Sequence, residues 1–136
     1  MTIVRDRLES IKTKIIMSGV VQSMTIVSER AMLDRGYFRA RLHLINGDFV
    51  EVSEYFILRS GNCSTVEYRH QWMDKSKTKL IKRWDNAEHF PDLANYPHHV
   101  HLENDEKVIP GTIVGIIELI NVLEKEIDHD AGSGAM

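Results

Sequence analysis

The dipeptide Asn46-Gly47 lies between two alternating apolar runs, residues 37–45 and 48–58, and no other feature limits the fold as much. Both central residues of a type I′ turn need positive φ, and Asn-Gly supplies them, so the spacing predicts a two-residue hairpin. The register then follows from the turn: Ile45 faces Asp48, Arg41 faces Val52, and Arg39 faces Glu54. One face carries Phe38, Ala40, Leu42, Leu44, Phe49, Tyr55 and Ile57, and is the face expected to pack against helices. The other mixes Arg39, Arg41, His43 and Glu54 with Tyr37, Val50, Val52, Phe56 and Leu58. On it Arg39 and Glu54 form a cross-strand ion pair on a half-exposed surface, and both are counted as substrate-binding candidates.

The rest of the chain arranges itself around that hairpin. Val4, Leu8, Ile11 and Ile15 recur at helical spacing, predicting an amphipathic helix over about 3–17, stopped by Ser18-Gly19. Residues 20–29 are rich in β-branched side chains and read as a strand, closed by a turn at 33–36. Alternation over 63–73 and the run 79–85 predict two further strands, separated by turns at Ser60-Gly61-Asn62 and 74–78. From Asn86 to Pro110 periodicity disappears, and the segment reads as one loop, longer than the usual ceiling of roughly 12–15 residues. Phe90, Leu93, Tyr96, Val100 and Ile109 would anchor it on the sheet. Thr112 is placed as the N-cap of a second helix with the stripe Ile113, Ile116, Ile117, Ile120, Leu123 and Ile127. That stripe belongs to the core or extends into a homodimer contact. The expectation is a single α+β domain over 1–128, an antiparallel five-stranded meander flanked by an N-terminal and a C-terminal helix (α-β-β-β-β-β-α), with a disordered tail at 129–136.

Composition removes several function classes. One cysteine, Cys63, leaves no internal disulfide and no Cys-rich zinc site. No apolar run reaches the roughly 18–20 residues that cross a bilayer, and the N-terminus has no secretory h-region. A cytoplasmic protein with no membrane partner is the expectation. Formal net charge is −3, so any nucleic-acid contact must be local. Residues 69–83 supply such a locality, with six Lys/Arg against Asp74 alone. Five of the seven histidines lie between His70 and His101.

Three stretches carry chemistry-bearing side chains: YRHQW (68–72), KRWDNAEHFP (82–91) and YPHHVH (96–101). RNA brings its own nucleophile in the 2′-hydroxyl. Cleaving it needs proton transfer, which suits histidine, and anion stabilisation, which suits Arg and Lys. Tyr68, His70, Trp72, Arg83, Asp85, His89, His98, His99 and His101 would meet in one region if the third stretch folds back over the first two. In extended chain His99 and His101 point the same way, and His-x-His is a bidentate metal clip that Asp85 or His89 would complete. Buried histidines that merely pin a loop are the plainer reading.

These stretches, with GYFRARLHLINGDFVEVSEY before them, resemble the TumE family of small prokaryotic proteins, toxin components of toxin–antitoxin pairs. The family pattern is close to R-[WY]-D-N-A-x-H-x-P-x-[LV] followed by F-P-H-H-x-H. Here it stands as Arg83-Trp84-Asp85-Asn86-Ala87, His89, Pro91 and Leu93, then Tyr96-Pro97-His98-His99 and His101, with Tyr96 in place of the commoner Phe. The resemblance spans about residues 36–110. It implies an antitoxin partner, often with a DNA-binding helix-turn-helix, and it carries over Arg83, Asp85, Asn86, His89, Pro97, His98, His99 and His101.

Residues and resemblance together lead to the expectation of a toxin that acts on RNA as a metal-independent endoribonuclease without a cofactor. His98 or His101 serves as general base and acid, with His99 and His89 beside them. Arg83 and Lys82 hold phosphate, Asp85 orients a histidine or Arg83, and Tyr68, His70 or Trp72 binds substrate. A non-enzymatic docking module and a metal-dependent nuclease are the alternatives.

Overall fold

A computed structural model describes residues 2–134, with side chains as far as Ile127, so the tail read at 129–136 lies outside the described side chains. The elements are α1 (Ile3–Met17), β1 (Val21–Ala31), β2 (Arg35–Leu44), β3 (Phe49–Arg59), β4 (Asn62–Met73), β5 (Leu80–Asp85), β6 (His99–Leu102), β7 (Lys107–Pro110) and α2 (Ile116–Gly134). The strands pair antiparallel in chain order, β1 through β7, as one continuous meander. The α+β class and the terminal helices agree with the sequence reading. The strand count does not: the sheet has seven strands, not five. The two extra strands come from the segment expected to be a loop. Each has only four residues, too few to display a period, and each gains its stability from pairing rather than from its own sequence. Pro110 ends the edge strand β7, where a missing N–H costs nothing.

The hairpin forms where Asn46-Gly47 places it, but with a different loop. The Leu44 N–H donates to the Asp48 carbonyl (2.9 Å) and the Gly47 N–H to the Leu44 carbonyl (2.9 Å), closing a loop of Ile45, Asn46 and Gly47. Only Gly47 takes positive φ (+94°). This is the three-residue hairpin with glycine in the left-handed region. Adding one residue to the loop slides β3 by one position: His43 faces Phe49, Leu42 faces Val50, and Arg39 faces Ser53. Because side chains alternate with period two, that slip turns every side chain of β3 to the other face. Val50, Val52, Glu54 and Phe56 therefore join Phe38, Ala40, Leu42 and Leu44 inside, all of them fully buried.

The expected Arg39–Glu54 ion pair accordingly does not form. Arg39 bonds Glu51 (Nη2–Oε2 2.6 Å), which Arg41 also reaches. Glu54 is instead a buried tie between four elements. Its Oε2 accepts from Arg7 Nη2 of α1 (3.1 Å) and from the Thr65 hydroxyl of β4 (2.8 Å). Its Oε1 accepts the Ile116 N–H (2.7 Å), the first residue of α2. A carboxylate at a helix N-terminus satisfies an orphan donor and complements the helix dipole. Gly115 makes room for it, since a Cβ there would stand 2.8 Å from Glu54 Oε1. The second helix thus begins at Ile116 rather than just after Thr112, and Ile113 is left exposed. Both helices cover one face of the sheet: Val4, Leu8, Ile11 and Ile15 of α1 and Ile116, Leu119, Ile120, Leu123 and Ile127 of α2 all enter one core. The other face carries no helix among the described residues.

Candidate functional site

Register decides which of the chemistry-bearing residues meet. Across β4 and β5, Arg69 faces Asp85 and Gln71 faces Arg83. Across β5 and β6, Arg83 faces His101 and Asp85 faces His99. Directly opposed residues project to the same side of a sheet. Arg69, Arg83, Asp85, His99 and His101 therefore share the face turned away from the helices. The alternate residues, His70, Trp84 and Val100, point into the core.

On the outer face Asp85 is the centre of a tight cluster. His99 Nε2 lies 2.9 Å from its Oδ1, and His101 Nε2 lies 3.5 Å from its Oδ2. Arg83 Nε is 3.4 Å from Oδ2, and the Ala87 N–H donates to Oδ1 at 3.0 Å. The His99 and His101 rings meet edge to face with centroids 4.8 Å apart. Phe90, from the loop after β5, sits against both rings at 4.9 and 5.8 Å. Asp85, His99 and His101 are all buried. Burial, reinforced by the Arg83 charge and partly offset by Asp85, holds the His101 imidazole below its ordinary pKa. Asp105, from the turn between β6 and β7, bridges the His101 Nδ1 (3.0 Å) and Arg83 Nη2 (3.3 Å).

The remaining candidates stand outside this cluster, though Tyr68 and His89 line the same cleft. The Tyr68 hydroxyl donates to the Thr112 carbonyl (3.2 Å) and meets His98 Nδ1 at 2.8 Å, with the two rings stacked 5.8 Å apart. Burial first, and the Asp85 charge second, raise the Tyr68 phenol pKa, so it stays protonated. Burial and the neighbouring His99 lower the His98 imidazole. His98 therefore bonds Tyr68 rather than Arg83, while Tyr68 also lines the cleft onto which Arg83, Asp85 and His101 open. His70 is fully buried, its Nε2–H donating to the Val114 carbonyl (2.9 Å) and its Nδ1 accepting from the Ser53 N–H (3.4 Å). Burial pushes it down to about 4, so it is a neutral strut rather than a substrate ligand. Trp72 is buried with its Nε1–H on Asp48 (2.9 Å), which leaves no ring face for a base. Lys82 reaches across to Glu126 of α2 (2.6 Å) on the helix-covered side. Arg39 is held by Glu51, and Glu54 is sealed in the core. His89 is exposed, with its ring edge against Phe90.

Arg83, Asp85, His89 and His101 open onto a cleft of about 660 Å³. Its other wall is built by Tyr37, Tyr55 and Arg69, none of which the sequence marked as site residues. Tyr37 and Tyr55 are directly paired across β2 and β3, and the Tyr37 hydroxyl bonds Ser53 Oγ (3.2 Å). The predicted register put these tyrosines on opposite faces. A three-residue loop in the hairpin was the one signal that places them together.

No curated protein and no solved structure matches this chain significantly. The sequence model of one family, described as Toxin TumE, matches residues 8–130, most of the chain.

Proposed function

Since the chain belongs to the TumE toxin family, we propose that it acts as a toxin on RNA, cleaving phosphodiester bonds in the cleft beside Asp85, and that a cognate helix-turn-helix antitoxin restrains it. One observation carries the reading. A buried carboxylate flanked by two imidazoles and an arginine opens onto a cleft large enough for a nucleotide. In this reading the 2′-hydroxyl attacks the adjacent phosphorus and the bond to the 5′-oxygen breaks. The 2′ proton is taken up at the Asp85–His99–His101 cluster, and His89 on the rim returns a proton to the 5′-oxygen. Arg83, and Arg69 next to it on the same face, neutralise the crowded phosphorane, with guanidinium geometry suited to paired oxygens. Tyr37 and Tyr55 offer aromatic surface to unstacked bases. His98 and Tyr68 position the start of β6 from the other side.

The test is cleavage of a defined RNA by the purified full chain, with and without divalent cations. Arg83→Ala is expected to lower the rate about 100-fold, with partial recovery in Arg83→Lys, and a 2′-deoxy substitution at the cut site should abolish cleavage. If RNA stays intact under every condition while the protein remains toxic in cells, the reading fails.

A further inference from the structure

The geometry points to a divalent transition-metal site at Asp85, His99 and His101, of the zinc class, where the sequence suggested a metal-free centre. The His99 ring is the decisive element. Its Nδ1 lies 2.8 Å from the Pro97 carbonyl, which can only accept, so the ring proton is on Nδ1. The Nε2 lone pair is then directed inward on a side chain only 1% exposed. Among the described residues no donor bonds this buried nitrogen. Its nearest neighbour is an Asp85 carboxylate oxygen at 2.9 Å, itself an acceptor. Two acceptors in contact inside a protein repel unless a cation lies between them, and a proton on Nε2 would not serve, since no hydrogen bond of acceptable geometry forms at that atom.

A cation accounts for the arrangement as a whole. One ligand atom from each of the three side chains lies within 4.8 Å of the others. Tetrahedral zinc with bonds near 2.0–2.1 Å places neighbouring ligand atoms about 3.3–3.5 Å apart, so sub-ångström to ångström side-chain shifts close the site. Each ligand has an outer partner of the kind that orients metal sites: the Pro97 carbonyl on His99, the Asp105 carboxylate on the far nitrogen of His101, and the Ala87 N–H on Asp85. Phe90 covers the two rings, and the remaining side faces the cleft through Asp85 and His101. Three protein ligands with one open position is the pattern of catalytic rather than structural zinc. On the RNA reading an ion here takes the place of the free imidazoles in activating the 2′-hydroxyl, and charge agrees with this. The cleft is lined by two arginines, Arg69 and Arg83, against three carboxylates, Glu67, Asp85 and Glu88, and a divalent ion makes it attractive to phosphate. The three ligand atoms converge in the same way whether or not RNA is the substrate.

The full chain, stripped with a chelator and returned to chelator-free buffer, is titrated with Zn²⁺ by calorimetry. One equivalent should bind with sub-micromolar affinity and raise the melting temperature. His101→Gln and Asp85→Asn should each weaken binding at least 100-fold, and His43→Gln should not change it. Because replacing a buried ligand also perturbs folding, ring NMR of the unmodified chain gives a second readout. One equivalent of Zn²⁺ should shift the His99 and His101 resonances and leave His43 and His70 in place. Absence of stoichiometric binding, or binding that leaves the His99 and His101 rings unperturbed, overturns the site. A chain that binds Zn²⁺ here yet cuts no RNA keeps the site and removes the RNA reading. A chain that cuts RNA in excess chelator and binds no Zn²⁺ does the reverse.

Discussion

Removing the Glu54 carboxylate should unfold this protein more readily than any loss on the outer face of the sheet. In Glu54→Ala the Ile116 N–H, buried at the start of α2, loses its acceptor, Thr65 loses its partner, and Arg7 keeps a charge with its counter-ion gone. A buried N–H left unsatisfied costs about 1–3 kcal/mol, and breaking a buried ion pair from one side costs about 3–5 kcal/mol. These overlap, because one carboxylate serves all three donors, so about 4 kcal/mol is expected in total. For a chain of this size that corresponds to a fall in Tm of about 12 °C. Glu54→Gln keeps an oxygen for Ile116 and should lose about half as much. Urea unfolding supplies the numbers, and a double-mutant cycle with Arg7→Ala should show coupling of about 1–3 kcal/mol. Glu51→Ala, which removes only half-exposed pairs with Arg39 and Arg41, should cost under about 1 kcal/mol. A Glu54→Ala loss no larger than that of Glu51→Ala, or coupling of Glu54 to Arg39 instead of Arg7, would falsify the β3 register and everything built on it.

Acid should destabilise the fold through His70. Its folded pKa is depressed to about 4, while in the unfolded chain it is near 6.5. The stability is therefore complete above about pH 6.5 and is lost as pH falls toward 4, by about 3 kcal/mol. Urea midpoints from pH 7.5 to 4.5 should show a slope that His70→Gln reduces, with the smaller remainder from His98 and His101, and an unchanged slope in the variant would show that His70 does not carry the effect. Gly36→Ala should cost about 1–3 kcal/mol, because a Cβ at Gly36 would stand 2.4 Å from Cζ of the fully buried Phe56 ring on the paired strand. Thermal melts that match the parent would mean that the ring yields freely.

Much of this was legible from residue types. The stripe Val4, Leu8, Ile11, Ile15 marks α1 with almost the observed ends, and Asn46-Gly47 marks the hairpin. The alternation over 63–73 marks β4 and correctly sets Tyr68, His70 and Trp72 on one face. The sequence also grouped Arg83, Asp85, His99 and His101, because those types converge in one window. It did not show that His98 bonds Tyr68 rather than Arg83, that Trp72 and His70 are sealed, or that Tyr37 and Tyr55 line the cleft. Each of these depends on which side of a strand a residue takes, and a single residue in a turn reverses that.

What the amino-acid sequence determined alone is local: the periodicity of α1, the turn residues of the hairpin, and a supply of imidazole, guanidinium and carboxylate between residues 69 and 101. Local backbone preference and hydrophobic period act over a few residues and can be read there. Tertiary structure decided the rest. A three-residue loop chose the inner face of β3 and so turned Glu54 from a surface ion-pair partner into the anchor of α2. Pairing with β5 drew His99–Leu102 into a strand, which set two imidazoles against one carboxylate. Four residues hold no strand preference strong enough to form one unaided; hydrogen bonds to a neighbour distant in sequence supply it.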